Sequence, residues 1–342
     1  MTAKLNWGIM TTGVIAHKFV TDLRQSRTGR LVAVGARQMA DAEKFAREFG
    51  GARAHGSYRA LLADPEVQAV YIGTPHPLHK EWALKAIAAG KHVLCEKPLT
   101  LNFADTQEII HAAKARGVLL MEAYMYRCHP QTQKLAELVR VGAIGELRLI
   151  RAAFSIQRDF DPEHRIFKRA LGGGAILDLG GYPVSFSRLI AGAAIGKGFA
   201  EPVEFHATGR LHPQTQTDDY AAAAVKYPGG VIAELSCGST VVHDISARLY
   251  GSTGWLDVPT PFFPGLEGRT DRIFLHRHGV AAPEEFVFSS PAGLYAYEAD
   301  AVADAIARGD REVPFMTWAD TLGNAAMLDA WLAAVGVNYD GV

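Results

Sequence analysis

Residues 71–100 read YIGTPHPLHKEWALKAIAAGKHVLCEKPLT. The apolar run Ala69–Gly73 ends at a Gly-Thr-Pro turn. The segment LHKEWALKAIAAG then has helical periodicity and is stopped by Gly90, and His92–Cys95 is apolar again. Two short strands joined by a helix of that length pair in parallel, because an antiparallel pair needs only a tight turn. The same alternation extends in both directions. Towards the N-terminus lie the strand Leu5–Met10, a helix after Gly13, the strand Leu31–Ala36 and the amphipathic helix MADAEKFAREFG, which puts Ala42, Phe45, Ala46 and Phe49 on one face. SYRALLADP is a further short helix. Towards the C-terminus, NFADTQEIIHAAKARG is a helix and Val118–Glu122 a fifth strand. The pattern predicts an α/β fold, a doubly wound parallel sheet of Rossmann type over residues 1–125.

Beyond about residue 125 the pattern changes. QTQKLAELVRVGAIG is helical and ELRLIRAAFSIQ is a strand. After the glycine-rich segment at 172–186 come the alternating runs VEFHATGRL, DDYAAAAVKYPGGVIAELSCG, SARLYGSTGWLDV, TDRIFLHRHG and EEFVFS, with KYPGGVI as a hairpin turn. Two helices close the chain. Residues 126–342 are therefore expected to form an α+β domain with a large, mostly antiparallel open sheet, its terminal helices returning towards the first domain.

Composition narrows the partners. The net charge is −1, which leaves no electrostatic footprint for nucleic acid or an anionic membrane. No apolar run approaches the roughly 18–20 residues that span a bilayer, and the N-terminus carries too short an apolar stretch for a signal peptide. Cys95, Cys128 and Cys237 are odd in number and widely spaced, which argues for reduced thiols in a cytoplasmic setting and against a metal cage.

The turn after the first strand, GIMTTGVIA, stands where a dinucleotide fold carries G-x-G-x-x-G. Thr11, Gly13 and Ala16 occupy the three glycine positions, so the loop by itself is weak evidence for such a site. Following a strand and opening a helix strengthens it. The second strand ends VAVGARQM, with Arg37 where an NAD site places an acid. A guanidinium suits the 2′-phosphate of NADP(H), so NADP(H) is expected over NAD(H). The alternative for Arg37 is a solvated surface charge.

The strand-end sequences of 71–100, with MEAYMYRCHPQ at 121–131, resemble the Gfo/Idh/MocA family of sugar and polyol oxidoreductases, whose hallmark is the Glu-Lys-Pro seen here at Glu96-Lys97-Pro98. The resemblance runs over nearly the whole chain. GGGAILDLGGYPV adds a narrower one, to the branch of dimeric dihydrodiol dehydrogenases, NADP-dependent D-xylose dehydrogenases and glucose–fructose oxidoreductase. It implies that Thr11, Thr12, Gly13, Val14 and Ile15 bind the cofactor together with Thr74, His76, His79, Glu96 and Lys97. It also implies that the segment ending in Tyr126 and Arg127 borders the substrate.

Hydride transfer from an alcohol carbon leaves a proton to be placed. A free phenol titrates near 10, too high for a base at neutral pH, and a nearby ammonium lowers it. Lys97 and Tyr182 form such a pair if the second domain lays 172–186 against the Glu-Lys-Pro strand end. Asp178, four residues before Tyr182, shares its face if the segment is helical; it would orient the lysine or bind a substrate hydroxyl. The plain alternatives are a core tyrosine, an aspartate bracing a turn and, for Arg165, a surface charge instead of a group at the site's mouth. Glycines 172–174 are expected to let the backbone approach the nicotinamide or substrate. The expected activity is an NADP(H)-dependent dehydrogenase or reductase acting on an aldose, an anhydrosugar or a trans-dihydrodiol. Two alternatives remain open: a sugar-modifying or glycoside-cleaving enzyme that keeps its cofactor, and a non-catalytic dinucleotide sensor. The open sheet face needs a cover, so at least a homodimer is expected.

Overall fold

The computed structural model describes residues 4–339 and 341–342. The chain forms two compact units. The first comprises the residues up to Cys128, with 266–268 and Ser290–Thr321; the second comprises His129–Gly265, Arg269–Ser289 and the chain from Leu322.

In the first unit, six strands form one parallel sheet: β1 (Leu5–Met10), β2 (Gly29–Gly35), β3 (Arg53–His55), β4 (Ala69–Ile72), β5 (His92–Glu96) and β6 (Leu120–Ala123). Their order is β3-β2-β1-β4-β5-β6. The crossovers run through α1 (Val14–Leu23), α2 (Met39–Glu48), α3 (Tyr58–Ala63), α4 (His79–Ala88) and α5 (Phe103–Arg116). The winding reverses between β1 and β4, and a doubly wound sheet binds its ligand in the crevice at the strand ends there. Strands covered on both faces read as continuous apolar runs, and Ala69–Ile72 is wholly buried. Phe19 of α1 stacks on Tyr71 at 3.9 Å between ring centroids and meets Trp7 edge-on at 5.5 Å. The three-residue β3 is too short and too polar to have been legible as a strand.

The first unit regains a late helix, α8 (Leu294–Arg308), which packs on α1. Asp22 of α1 accepts the Tyr295 N–H at 3.0 Å, and Ser26 donates to Asp300 at 2.6 Å.

In the second unit, eight strands form a mixed sheet: β7 (Leu147–Ser155), β8 (Glu204–Leu211), β9 (Asp218–Lys226), β10 (Ile232–Gly238), β11 (Ser246–Gly251), β12 (Gly254–Val258), β13 (Thr270–Arg277) and β14 (Glu284–Ser289). The order is β14-β13-β12-β11-β7-β10-β9-β8, antiparallel except for β7 with β10. One face buries Ile150, Phe154, Leu235, Cys237, Leu249 and Ile273; α6 (Pro130–Arg140) and α7 (Gly181–Ala194) pack against the sheet. The other face differs from the apolar patch expected of it. It carries alanines and charges, with Arg151 paired to Glu234 at 2.7 Å and Arg248 to Asp257 at 3.0 Å. α9 (Trp318–Val335) contributes to both units. Among the described residues, no helix is long and apolar enough to cross a membrane, and no cluster of His, Cys, Asp or Glu is arranged to hold a metal.

Candidate active site

The first unit gathers its candidate residues at the C-terminal ends of β1, β2, β4 and β5. After β1 the chain turns at Thr11, whose φ of 96° lies in the region that favours glycine and strains a β-branched residue. The Thr11 N–H bonds the Gly35 carbonyl at 2.9 Å, and its hydroxyl accepts the Gly13 N–H at 3.3 Å. Backbone strain held in place by such bonds is a feature of ligand-clamping loops. Gly13 then caps α1 with no side chain and no acid in the first turn, and Val14 behind it is 78% exposed. Among the described residues, none demands a glycine at 13. Its φ is −76°, and a Cβ there meets only the Thr11 hydroxyl, at 3.7 Å. A bare helix N-terminus with room for close approach fits a pyrophosphate.

Other features of the crevice agree with a dinucleotide. The Thr74 hydroxyl is buried with no hydrogen-bond partner, a donor and acceptor held ready for a ligand. Arg37 is exposed and has no ion-pair partner among the described residues. Thr12 is half-buried in the same turn, and Ile15 packs close to Gly73. Glu96 is buried, accepting the Tyr71 hydroxyl at 2.5 Å, and the Lys97–Pro98 peptide that follows is cis. Glu122 on β6 holds this strand end by accepting the Leu99 N–H at 3.0 Å. No sequence signal marked that role.

Two sets of residues expected at the site in this unit are buried. His79 is fully buried, its ring nitrogens 2.9 Å from the Pro98 carbonyl and 2.8 Å from the Thr74 carbonyl. Burial, with the Lys97 charge, holds it below the ordinary histidine value. It braces the β4 loop against the β5 loop. His76 lies beside it, ring to ring at 5.7 Å. Tyr126 and Arg127, expected at the substrate, are likewise buried. The Arg127 guanidinium is ion-paired with Asp320 and bonded to Tyr126. That pairing makes Arg127 part of the unit's interior.

The second unit builds its part around residues 165–182. The Gly174 N–H bonds the Ile166 carbonyl at 2.7 Å and the Gly173 N–H bonds the Lys168 carbonyl at 3.1 Å, which folds the loop at 165–168 onto the glycines. A Cβ on Gly173 would meet backbone of Arg165, Phe167 and Lys168 within 3.0 Å. Gly173 and Gly174 thus serve packing inside their own unit. The folded loop delivers Arg165 to Asp178 in a two-pronged pair, 2.9 and 3.3 Å. Asp178 is buried while the arginine side chain is 54% exposed.

Asp178 sits in a π-helical turn, Ile176–Gly180, instead of the α-helix its spacing suggested; the Gly181 N–H returns to the Ile176 carbonyl five residues back. Such wide turns recur at functional sites. α7 starts directly after it, with Tyr182 buried in its first turn. Its ring packs among Phe154, Phe262 and Phe263, at centroid distances of 5.1, 5.5 and 5.7 Å. The last two phenylalanines lay in a loop that carried no readable motif. His129, on which no role was placed, caps α6 by accepting the Gln131 N–H at 3.1 Å; burial pushes it down to about 4, so it is neutral at physiological pH.

The chain belongs to the Gfo/Idh/MocA oxidoreductase family. Residues 5–124 match the family's NAD-binding Rossmann fold and residues 132–257 its C-terminal domain. It is 35% identical to trans-1,2-dihydrobenzene-1,2-diol dehydrogenase of Mus musculus over 98% of both chains. Among solved structures, a 3-ketoreductase from Actinomadura kijaniata in complex with NADP and TDP-benzene is similar with a TM-score of 0.84 and 30% identity, covering 97% of this chain and 98% of that one. An aldose–aldose oxidoreductase from Caulobacter crescentus shares the fold with a TM-score of 0.85 at 24% identity, over 97% and 98%.

Proposed function

We propose that this chain is an NADP(H)-dependent oxidoreductase that moves hydride between the nicotinamide and a secondary-alcohol or carbonyl carbon of a sugar-like or trans-dihydrodiol substrate. The observation that carries the proposal is the bare glycine turn at Thr11–Ile15, with Arg37, Thr74 and the Glu96-Lys97 pair at the same ends of one parallel sheet. The names of its relatives, a dihydrodiol dehydrogenase and an NADP-bound 3-ketoreductase, support the substrate class and the cofactor.

Residues Thr11–Ile15 would hold the pyrophosphate, Arg37 the 2′-phosphate, and Thr74, His76, Glu96 and Lys97 the nicotinamide end. When bound, NADP(H) supplies the two-electron chemistry; the protein supplies position and proton handling. Tyr182 carries the proton exchanged at the substrate oxygen, and Lys97 is the second group proposed for proton transfer. Asp178, held by Arg165, accepts a substrate hydroxyl. The phenylalanines around the Tyr182 ring fix its orientation and limit water on that side.

The test is a panel of aldoses, anhydrosugars and trans-dihydrodiols, each offered with NADP and with NAD, followed by the absorbance of released NADPH. Turnover of at least one class with NADP is expected. Absence of turnover across the panel, or a cofactor reduced but never released, would overturn the reading. Replacing Arg37 with serine is expected to lower the NADP-over-NAD ratio of kcat/KM by about tenfold to a hundredfold, the worth of a charge-assisted phosphate contact. An unchanged ratio would place the 2′-phosphate elsewhere.

The exposed sheet face, lined by Arg151, Thr208, Ala222, Ala224, Glu234 and Arg248, is proposed as the contact between two copies. Alanines permit close approach, and the paired charges leave little net charge to repel an identical surface. Light scattering is expected to give at least twice the chain's 37.0 kDa. A monomer mass would remove this part of the proposal. The three cysteines are buried and unbridged, which suits a reducing, cytoplasmic setting.

A further inference from the structure

We propose that Asp218 is a positioning residue, whose buried carboxylate clamps the start of the turn that carries Asp178 and Tyr182. The inference rests on the roles proposed above for those two residues.

Asp218 opens β9 and is 1% exposed. Its Oδ2 accepts the Ile176 N–H at 2.6 Å, and the Ala175 N–H also bonds the carboxyl. These are first-turn amides, which a helix start leaves without internal acceptors. From the clamped Ile176, two residues lead to Asp178 and six to Tyr182. The other carboxylate oxygen lies directly beneath Gly174, whose φ is 115°; a Cβ there would overlap it and come within 3.0 Å of the Tyr339 hydroxyl. Tyr339 in turn donates to the Gly173 carbonyl. Aspartate at 218 therefore leaves room only for glycine at 174.

The carboxylate is kept at some cost. Burial pushes it up to about 7, the neighbouring Asp219 adds to the rise, and backbone N–H groups work against it. Asp219 itself pairs with Arg210, so its charge is engaged away from the turn. An apolar side chain at 218 would avoid that desolvation and would leave the amides of 175 and 176 buried without acceptors. The widened turn follows directly from this fixed point: its first amides are tied to the sheet, and α7 resumes five residues later.

The test uses the full chain as Asp218→Ala and Asp218→Asn, comparing amide hydrogen exchange over residues 172–186 with kcat and KM. Asp218→Ala is expected to speed exchange in that segment by about tenfold or more, leaving the two sheets protected, and to lower kcat about 10–100-fold with KM for NADP within about threefold. Asp218→Asn keeps an acceptor oxygen and is expected to restore both towards the parent. If Asp218→Ala does not fold, Gly174→Ala takes its place, since its Cβ displaces the carboxylate. Unchanged exchange at 172–186 in the disrupting variant overturns the clamp, whatever the activity. Faster exchange with kcat unchanged supports the clamp and sinks the catalytic roles proposed for Asp178 and Tyr182.

Discussion

Tyr182→Phe and Lys97→Met are each expected to lower kcat by about 10²–10⁴, the range that a positioned acid–base group contributes. The tyrosine substitution is conservative for the fold. Phe154, Phe262 and Phe263 contact the ring, and phenylalanine preserves that packing. A large fall in kcat with an unchanged Tm therefore reports the hydroxyl. Lys97 tests the other partner, and the double variant tests whether they act as one device. If the ammonium works by stabilising the phenolate, losing both groups costs little more than losing either. Multiplied losses would mean independent roles. Turnover within about threefold of the parent in either single variant would end the proposal.

Arg127→Met is expected to cost about 3–5 kcal/mol of stability, because it leaves the Asp320 carboxylate buried without its cation. Both side chains of the pair are at most 3% exposed. The fall in Tm should be roughly 4–7 °C in a chain of this size. Replacing both partners, as Arg127→Met with Asp320→Leu, should recover most of the loss, since two apolar groups remove the stranded charge as well as the pair. Substrate KM serves as the second readout. A rise in KM with unchanged Tm would return Arg127 to the substrate site and contradict the interior role assigned to it.

How far the sequence could be read depended on whether a feature is local. The α/β alternation from Leu5 to Glu122 and the five strands of the parallel sheet other than β3 are set by apolar runs, periodicity and glycine stops within short windows. The dinucleotide turn was legible in the same way, because a strand, a tight turn and a helix start are contiguous. The place of Arg37 after β2 was legible because a strand end is a position, not a contact. The burial and pairing of Arg127 were not legible, for the opposite reason. Its environment is fixed by Asp320, 193 residues later, and no local pattern distinguishes a buried, paired arginine from one that faces a ligand.

The glycine segment at 172–186 divides along the same line. By itself the sequence determined that an acid and a phenol stand four residues apart behind flexible backbone, in a chain whose first half is built for a dinucleotide. Only the tertiary structure decided that the segment begins with a π turn, that Arg165 grips Asp178, that phenylalanines from a strand and a distant loop enclose Tyr182, and that the glycines make room for Asp218 and the chain's own backbone. Residue type and spacing record which groups a chain owns. Where burial and pairing put those groups depends on contacts between segments far apart in sequence, and such contacts form only when the sheet and its helices close.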